Sequence, residues 1–289
     1  MKRGLFKFFL FVFFILSVTP FVFAQDYNFL ISNSADWRDV YSIMHYANLR
    51  GFGSEFLVST RHGSLLLNNI NKKNNIRVIS SRSQPYVFNY ADEVLSRGFS
   101  GADEIVVDSA NLELVQDLDD VNNFIIVDDS YGHNAIAITS YAIETRSWVF
   151  LTNRLNVYEI DSILSNRDVD NVIIYGYVHR EIRDVLDKYD PEIIDLGDKF
   201  ENNIEITKRY LDLNPTKQVV LTNGEFIEKE VMSGGEPILF TGRQNVPDQI
   251  RDYLKNSDIK VGVLIGNELV GAATNIRRSA GISVMVKFA

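Results

Sequence analysis

The sequence contains no cysteine. Disulfides and thiolate metal sites are therefore excluded. A chain of 289 residues that is 46% hydrophobic can still hold together outside a cell, because its core is large enough without cross-links. No Asn-x-Ser/Thr sequon occurs, since Asn214-Pro-Thr216 is blocked by its proline, so N-glycosylation is not expected. There is no His-Glu-x-x-His stretch and no Gly-x-Ser-x-Gly elbow. His45, His62, His133 and His179 fall at no metal-ligand spacing and read as surface or loop residues. Gly51-Phe-Gly53 follows a predicted helix rather than a strand, so it is no dinucleotide fingerprint. No cofactor is expected, and no catalytic residue is assigned.

Positive charge is also scarce. Lys2, Arg3 and Lys7 precede the apolar run 8–23, and Val22-Phe23-Ala24 reads as a small-residue cleavage site. Residues 1–24 are therefore expected to be a secretory signal peptide, with an uncleaved anchor as the alternative. Either way the remainder is exported. Without Lys2, Arg3 and Lys7, 26 basic residues face 38 acidic ones, a net charge of −12. Counterion release needs a basic face, so nucleic acid is not an expected partner. A local basic site can still exist inside an acidic molecule.

What the chain does have is repetition. Asn28-Phe-Leu-Ile-Ser32, Asn123-Phe-Ile-Ile-Val127 and Gln218-Val-Val-Leu-Thr222 are spaced 95 residues apart, and each opens an equivalent series of elements. A chain copied three times is a repeat array or an internal pseudo-trimer. Strands are expected at 29–32, 56–59, 76–80 and 105–108 in the first copy. In the second they fall at 124–127, 148–152, 172–175 and 193–195, and in the third at 219–222, 238–241, 261–265 and 283–287. These continuous apolar runs suit parallel strands covered on both faces. Helices are expected near 87–97, 135–144, 157–164, 179–188, 203–211 and 268–277. The alternation predicts an α/β fold with right-handed crossovers. The expected divisions are 25–117, 118–213 and 214–289. The chain stops at Ala289 directly after an apolar strand. That suggests, as a hypothesis, the N-terminal part of a longer surface protein with a further C-terminal region; a genomic reading frame ending at Ala289 would refute it.

The motifs carry a resemblance. The third copy has Glu236-Pro-Ile-Leu-Phe-Thr-Gly242, Val246-Pro-Asp-Gln-Ile250 and Val263-Leu-Ile-Gly266. The second has Ala135-Ile-Ala-Ile-Thr139, Trp148-Val-Phe-Leu-Thr152 and Val172-Ile-Ile-Tyr-Gly176. The first, the most divergent, has Glu55-Phe-Leu-Val-Ser59. Residues 28–289 resemble the cell wall binding repeat 2 family, surface-layer-associated anchoring modules found as three tandem copies. The motif proline stands only in the third copy, and the double glycine after strand three is reduced to one or none. The resemblance implies three Rossmann-like, flavodoxin-like parallel-sheet repeats packed as a pseudo-trimer. It also implies non-catalytic binding of an anionic cell-envelope polymer or glycan at the cell surface.

Candidate ligand-binding residues follow from the alignment. Arg61, Arg154 and Arg243 each stand two residues after Ser59, Thr152 or Thr241. Ligands of open α/β sheets bind beyond the carboxyl ends of strands, and arginine presents a fork suited to phosphate or carboxylate. The plainer reading is an arginine paired with a nearby acid. Ser59, Thr152 and Thr241 could supply hydroxyls or cap the following helix. Asn33, Asp129 and Asn223 lie in the polar loops after strand one and could hydrogen-bond a sugar, or serve only as turn residues. Trp148 falls in a buried strand and reads as core. Two other functions stay open: an exported sugar-binding protein or glycan-acting enzyme using the strand-end cleft, and a lattice protein whose copies contact homo-oligomer or surface-layer subunits.

Overall fold

The computed structural model describes residues 27–288. The expected signal peptide lies outside the described residues. Among the described residues no helix is long and apolar enough to cross a membrane. The first repeat runs β1 (Phe29–Asn33), α1 (Trp37–Arg50), β2 (Gly53–Phe56), α2 (His62–Asn69), β3 (Asn75–Ser81), α3 (Tyr90–Ser96), β4 (Gly101–Val107) and the short α4 (Ala110–Glu113). The second runs β5 (Asn123–Asp128), α5 (Gly132–Glu144), β6 (Ser147–Thr152), α6 (Val157–Ser165), β7 (Asn171–Tyr175), α7 (Arg180–Leu186), β8 (Glu192–Ile194) and α8 (Lys199–Leu213). The third contains β9 (Gln218–Thr222), β10 (Ile238–Phe240), α9 (Asp248–Asn256), β11 (Val261–Ile265), α10 (Val270–Ala280) and β12 (Ser283–Lys287).

Each repeat forms one four-stranded sheet, ordered β2-β1-β3-β4, β6-β5-β7-β8 and β10-β9-β11-β12. All pairings are parallel. The protein is thus an α/β fold of three sheets, and one apolar core joins them. Val40, Tyr41 and Met44 of α1 meet Val127, Ala135 and Val149 of the second repeat and Val220, Met232 and Phe240 of the third. Ala135, Ala137 and Ala142 leave α5 narrow, so α1 and α8 both pack on it. Trp148 is fully buried, as expected.

The structure departs from the sequence reading in several places, among them β4, which begins at Gly101, four residues before expectation. The third repeat has no counterpart of α1 and α5. Paired positions on the first two strands lie 24 residues apart in repeats one (Ser32 and Phe56) and two (Val127 and Leu151), but only 18 apart in repeat three (Thr222 and Phe240). The shorter connection holds a single 3-10 turn, Val231–Ser233. In repeat one, β2 ends at Phe56, three residues before the expected strand end.

The sheet edges β6 and β10 are closed by side chains from the preceding repeat. Asn111 of α4 donates through Nδ2 to the Val149 carbonyl (2.8 Å) and accepts through Oδ1 from the Leu151 N–H (3.0 Å). Asn203 of α8 does the same to the Ile238 carbonyl (2.9 Å) and the Phe240 N–H (2.6 Å). A carboxamide has the donor–acceptor pattern of a peptide group, so each asparagine acts as one rung of an additional strand. Thr207 also donates to the Ile238 carbonyl, at 3.0 Å.

His45 is a further tie, and not the surface residue expected. It is fully buried in α1, and its Nε2–H donates to the Ser147 carbonyl at 2.8 Å. Its ring stacks near Tyr41 and tilts against Trp148. Burial lowers its pKa to about 4.

Two predictions follow from these contacts. Asn111→Ala strips the partners from a buried carbonyl and a buried N–H, and should lower stability by about 2–4 kcal/mol. Asn203→Ala should cost less, because Thr207 still serves the Ile238 carbonyl. Urea midpoints check both. The unfolded state takes up the His45 proton near pH 6.5, the folded state only near pH 4. Stability is therefore full above pH 6.5 and falls by about 3 kcal/mol as pH drops to about 4. His45→Gln should flatten that slope in pH-dependent unfolding.

Candidate functional site

Strand register decides which candidate residues are equivalent. Phe56 stands opposite Ser32, Leu151 opposite Val127 and Phe240 opposite Thr222. Three residues further on come Ser59, Arg154 and Arg243. Arg61 is therefore not the counterpart of the other two arginines. It lies in the turn before α2, because β2 ends earlier than its apolar run suggests. The counterpart of Thr152 and Thr241 is likewise Leu57, not Ser59, and all three are buried. Ser59 is exposed and caps nothing with its side chain; its carbonyl accepts the His62 N–H at 3.1 Å.

The three strand ends have different fates. In repeat one Asn33 is fully buried. Its Nδ2 donates to Ser80 Oγ (2.8 Å) and the Val87 carbonyl (2.6 Å), and its Oδ1 accepts from the N–H groups of Tyr86 and Val87. The amide has nothing left for a ligand, which corrects its assignment as a binding residue. In repeat three Arg243 pairs with Glu225, Nε to Oε1 at 3.2 Å, and each pulls the other's pKa toward its charged form. This is the plainer reading of that arginine. Asn223 accepts from the Glu225 N–H at 3.0 Å, while its Nδ2 and the Thr241 hydroxyl are buried without a partner.

In repeat two the strand end is open. The equivalent of Asn33 and Asn223 is Asp128; Asp129, one residue on, is held by Arg38 of α1 (3.2 Å) and by Asn153 (2.7 Å). β6 lies on one side of β5 and β7 on the other, so the chain changes direction between β5 and β7. Such a switch point leaves a crevice beyond the strand ends. Here it is a cavity of about 320 Å³ lined by Asp128, Tyr131, His133, Asn134, Tyr177, His179, Asp195 and Lys199. Asp128, Ser130 and His179 are shared with an adjoining cavity of about 520 Å³, which reaches Asn153, Arg154 and Glu181. Among the described residues Arg154 has no ion pair.

The lining has a pattern. Tyr131 and Tyr177 are 70% and 63% exposed. Each carries a histidine two residues on, at ring-centroid distances of 5.9 Å to His133 and 6.0 Å to His179. Burial, then Lys199, lowers the His133 pKa, so that ring is neutral at pH 7 with one donor and one acceptor. Asp195 is braced by Arg183 (3.2 Å), and Asp198 caps α8 through the Phe200 N–H (2.9 Å). Aromatic faces, carboxylates and an imidazole suit sugar rings and hydroxyls; the guanidinium suits an anionic group. Tyr131-Gly-His133 and Tyr177-Val-His179 were legible as a repeated Tyr-x-His, but only the fold brings the two together.

Solved structures share this fold. Cwp8 from Clostridium difficile superposes with a TM-score of 0.68 at 14% identity, covering 89% of this chain and 48% of its own. Cwp6 from C. difficile gives 0.61 at 14% identity, covering 90% and 54%. At that identity the likeness is one of fold, and it fits the tandem-repeat pseudo-trimer. The chain spans about half the length of each. No family model matches the sequence, and no curated protein matches it.

Gly176 shapes the cavity wall. Its φ is +75°, and a Cβ there would lie 2.6 Å from Asn134 Nδ2. Gly98, at φ +81°, faces open space. Gly98→Ala should therefore cost only the left-handed backbone, about 1 kcal/mol. Gly176→Ala should cost more, because Asn134 must also move. Denaturation midpoints of the two variants check the order.

Proposed function

We propose that the chain is a non-catalytic cell-surface module that binds an anionic envelope polymer or glycan through the strand-end cleft of the second repeat. The observation that carries this reading is Arg154, without an ion pair among the described residues, in a cavity that shares Asp128, Ser130 and His179 with the one lined by exposed Tyr131 and Tyr177. The expected export signal supports it, as does the shared fold of the C. difficile cell wall proteins Cwp8 and Cwp6. In this reading Arg154 takes the negative group, the tyrosines take sugar faces, and Asp128 takes hydroxyl donors. Arg61 and Arg243 have no part in it.

Co-sedimentation of residues 25–289 with envelopes from the producing organism tests the reading. Arg154→Ala should weaken binding at least about tenfold, close to 1.4 kcal/mol. Tyr131→Ala and Tyr177→Ala should each weaken it severalfold, while Arg61→Ala and Arg243→Ala stay within about twofold. Absence of binding by the folded parent, or equal losses in all three arginine variants, would overturn it. Release of cleaved sugar from the envelopes would move the assignment to a glycan-acting enzyme.

A further inference from the structure

Repeats two and three carry an arginine at the same position after the second strand. Arg243 is paired, and among the described residues Arg154 is not. The difference lies in what holds the acid of the adjacent loop. In repeat three that acid is Glu225, two residues past Asn223, and it takes Arg243. In repeat two it is Asp129, one residue past Asp128, and a residue of repeat one takes it.

That residue is Arg38, the second of α1. Its Nε and Nη2 donate to the two oxygens of Asp36, each at 2.9 Å. Asp36 in turn caps α1 by accepting the Arg38 N–H at 2.9 Å. Nη1 is left over, and it donates to Asp129 Oδ2 at 3.2 Å. A guanidinium carries its donors in a rigid fork, so the grip on Asp36 aims the bond to Asp129. The Asp129 side chain is only 11% exposed, and a carboxylate so shielded from water needs a partner.

Arg154 is the alternative partner. Its chain neighbour Asn153 donates from Nδ2 to the same Asp129 oxygen at 2.7 Å, and accepts through Oδ1 from the Leu155 and Asn156 N–H groups at 2.7 and 3.1 Å. The loop that presents Arg154 is thus stapled to the carboxylate that Arg38 holds. The other junction differs at one position. α5 lies beside β10 as α1 lies beside β6, but the second residue of α5 is His133, which has no ion pair among the described residues. No guanidinium from the preceding repeat holds Glu225, and it pairs with the arginine of its own repeat.

We propose that Arg38 is a positioning residue for the cleft of repeat two: by holding Asp129 it leaves Arg154 free to meet an anionic group of the ligand. The proposal rests on the assignment of that cleft as the binding site. It makes the cleft a product of two repeats, since α1 of repeat one sets the charge state of the loop in repeat two.

Two measurements on residues 25–289 test it, the first without ligand. Phenylglyoxal labelling, read by mass spectrometry, reports whether each arginine is paired. Arg38→Gln should slow labelling of Arg154 about threefold, the scale of one partly exposed ion pair, and leave Arg243 unchanged. Adding Asp129→Asn should restore the parent rate, because the competing charge is gone. A general loosening of the fold would not be repaired by a second substitution, so the pair of variants separates positioning from stability. Co-sedimentation with envelopes should follow the same order: about threefold weaker for Arg38→Gln, and within about twofold of the parent for the double variant. Parent-rate labelling of Arg154 in Arg38→Gln, or a slowing that Asp129→Asn leaves in place, would overturn the proposal. Normal labelling behaviour in a folded parent that binds no envelope would instead remove the cleft as the binding site.

Discussion

The whole assembly depends on satisfying backbone groups at the edge of a parallel sheet. A four-stranded sheet presents unpaired N–H and C=O groups along its border strand, and burying them unpaired costs about 1–3 kcal/mol each. Here the borders β6 and β10 are packed against the neighbouring repeat, where water cannot serve them. Asn111 and Asn203 solve this with one carboxamide each. The solution also fixes position. A bidentate amide fits one register only, so each clamp sets how one repeat sits on the next. His45 adds a third such bond, to the Ser147 carbonyl. Apolar packing between repeats is broad and weakly directional; these bonds make it specific.

With the scaffold fixed at the strand borders, the strand ends are free to diverge. The same position is Asn33, Asp128 and Asn223 in the three repeats. Asn33 is spent on stitching the β3–α3 loop to β1. In repeat three the following segment is shortened, and Glu225 neutralises Arg243. In repeat two a full-length first helix stands beside an open, polar crevice at the strand ends. Triplication has thus produced one described cleft with the mixed chemistry of a binding site rather than three equivalent ones. Arg61 is two residues out of register with Arg154 and Arg243, and Arg243 is paired, so the three aligned arginines are not equivalent.

The strands were largely legible, because residues buried on both sheet faces leave uninterrupted apolar runs. β9, β10, β11 and β12 fall within one residue of expectation. β2 was not legible: Glu55-Phe-Leu-Val-Ser59 is apolar like a strand, but pairing to β1 ends at Phe56 and Val58 is exposed. That shift of a few residues displaced Arg61 from its supposed partners. The absence of a first helix in repeat three follows from a six-residue shortening, visible only once the pairing is known. Partnerships such as Arg243 with Glu225, or Asn111 with β6, span 18 and about 40 positions and have no local sequence signature. The two Tyr-x-His segments of the cleft are a sequence repeat, but they follow different strands, and only the fold shows that they meet.

The charge balance constrains what the proposed ligand can look like. Residues 25–289 carry −12, which opposes a dense polyanion at long range. At physiological salt, however, charges beyond about 8 Å are largely screened. What counts at Arg154 is therefore its own cavity, which also contains Asp128 and Glu181. Glu181 accepts a hydrogen bond from Tyr158 at 3.1 Å, and one oxygen of Asp128 accepts from the Ser130 N–H at 2.9 Å. The second Asp128 oxygen remains an acceptor in the cavity that Arg154 also lines. A chain of closely spaced phosphates would place negative charge against that carboxylate. A glycan with isolated anionic groups separated by neutral sugars would not: its hydroxyls donate to Asp128, its ring faces lie on Tyr131 and Tyr177, and its charge meets Arg154. On this reading the Asp128 carboxylate within the cleft selects for spaced charge.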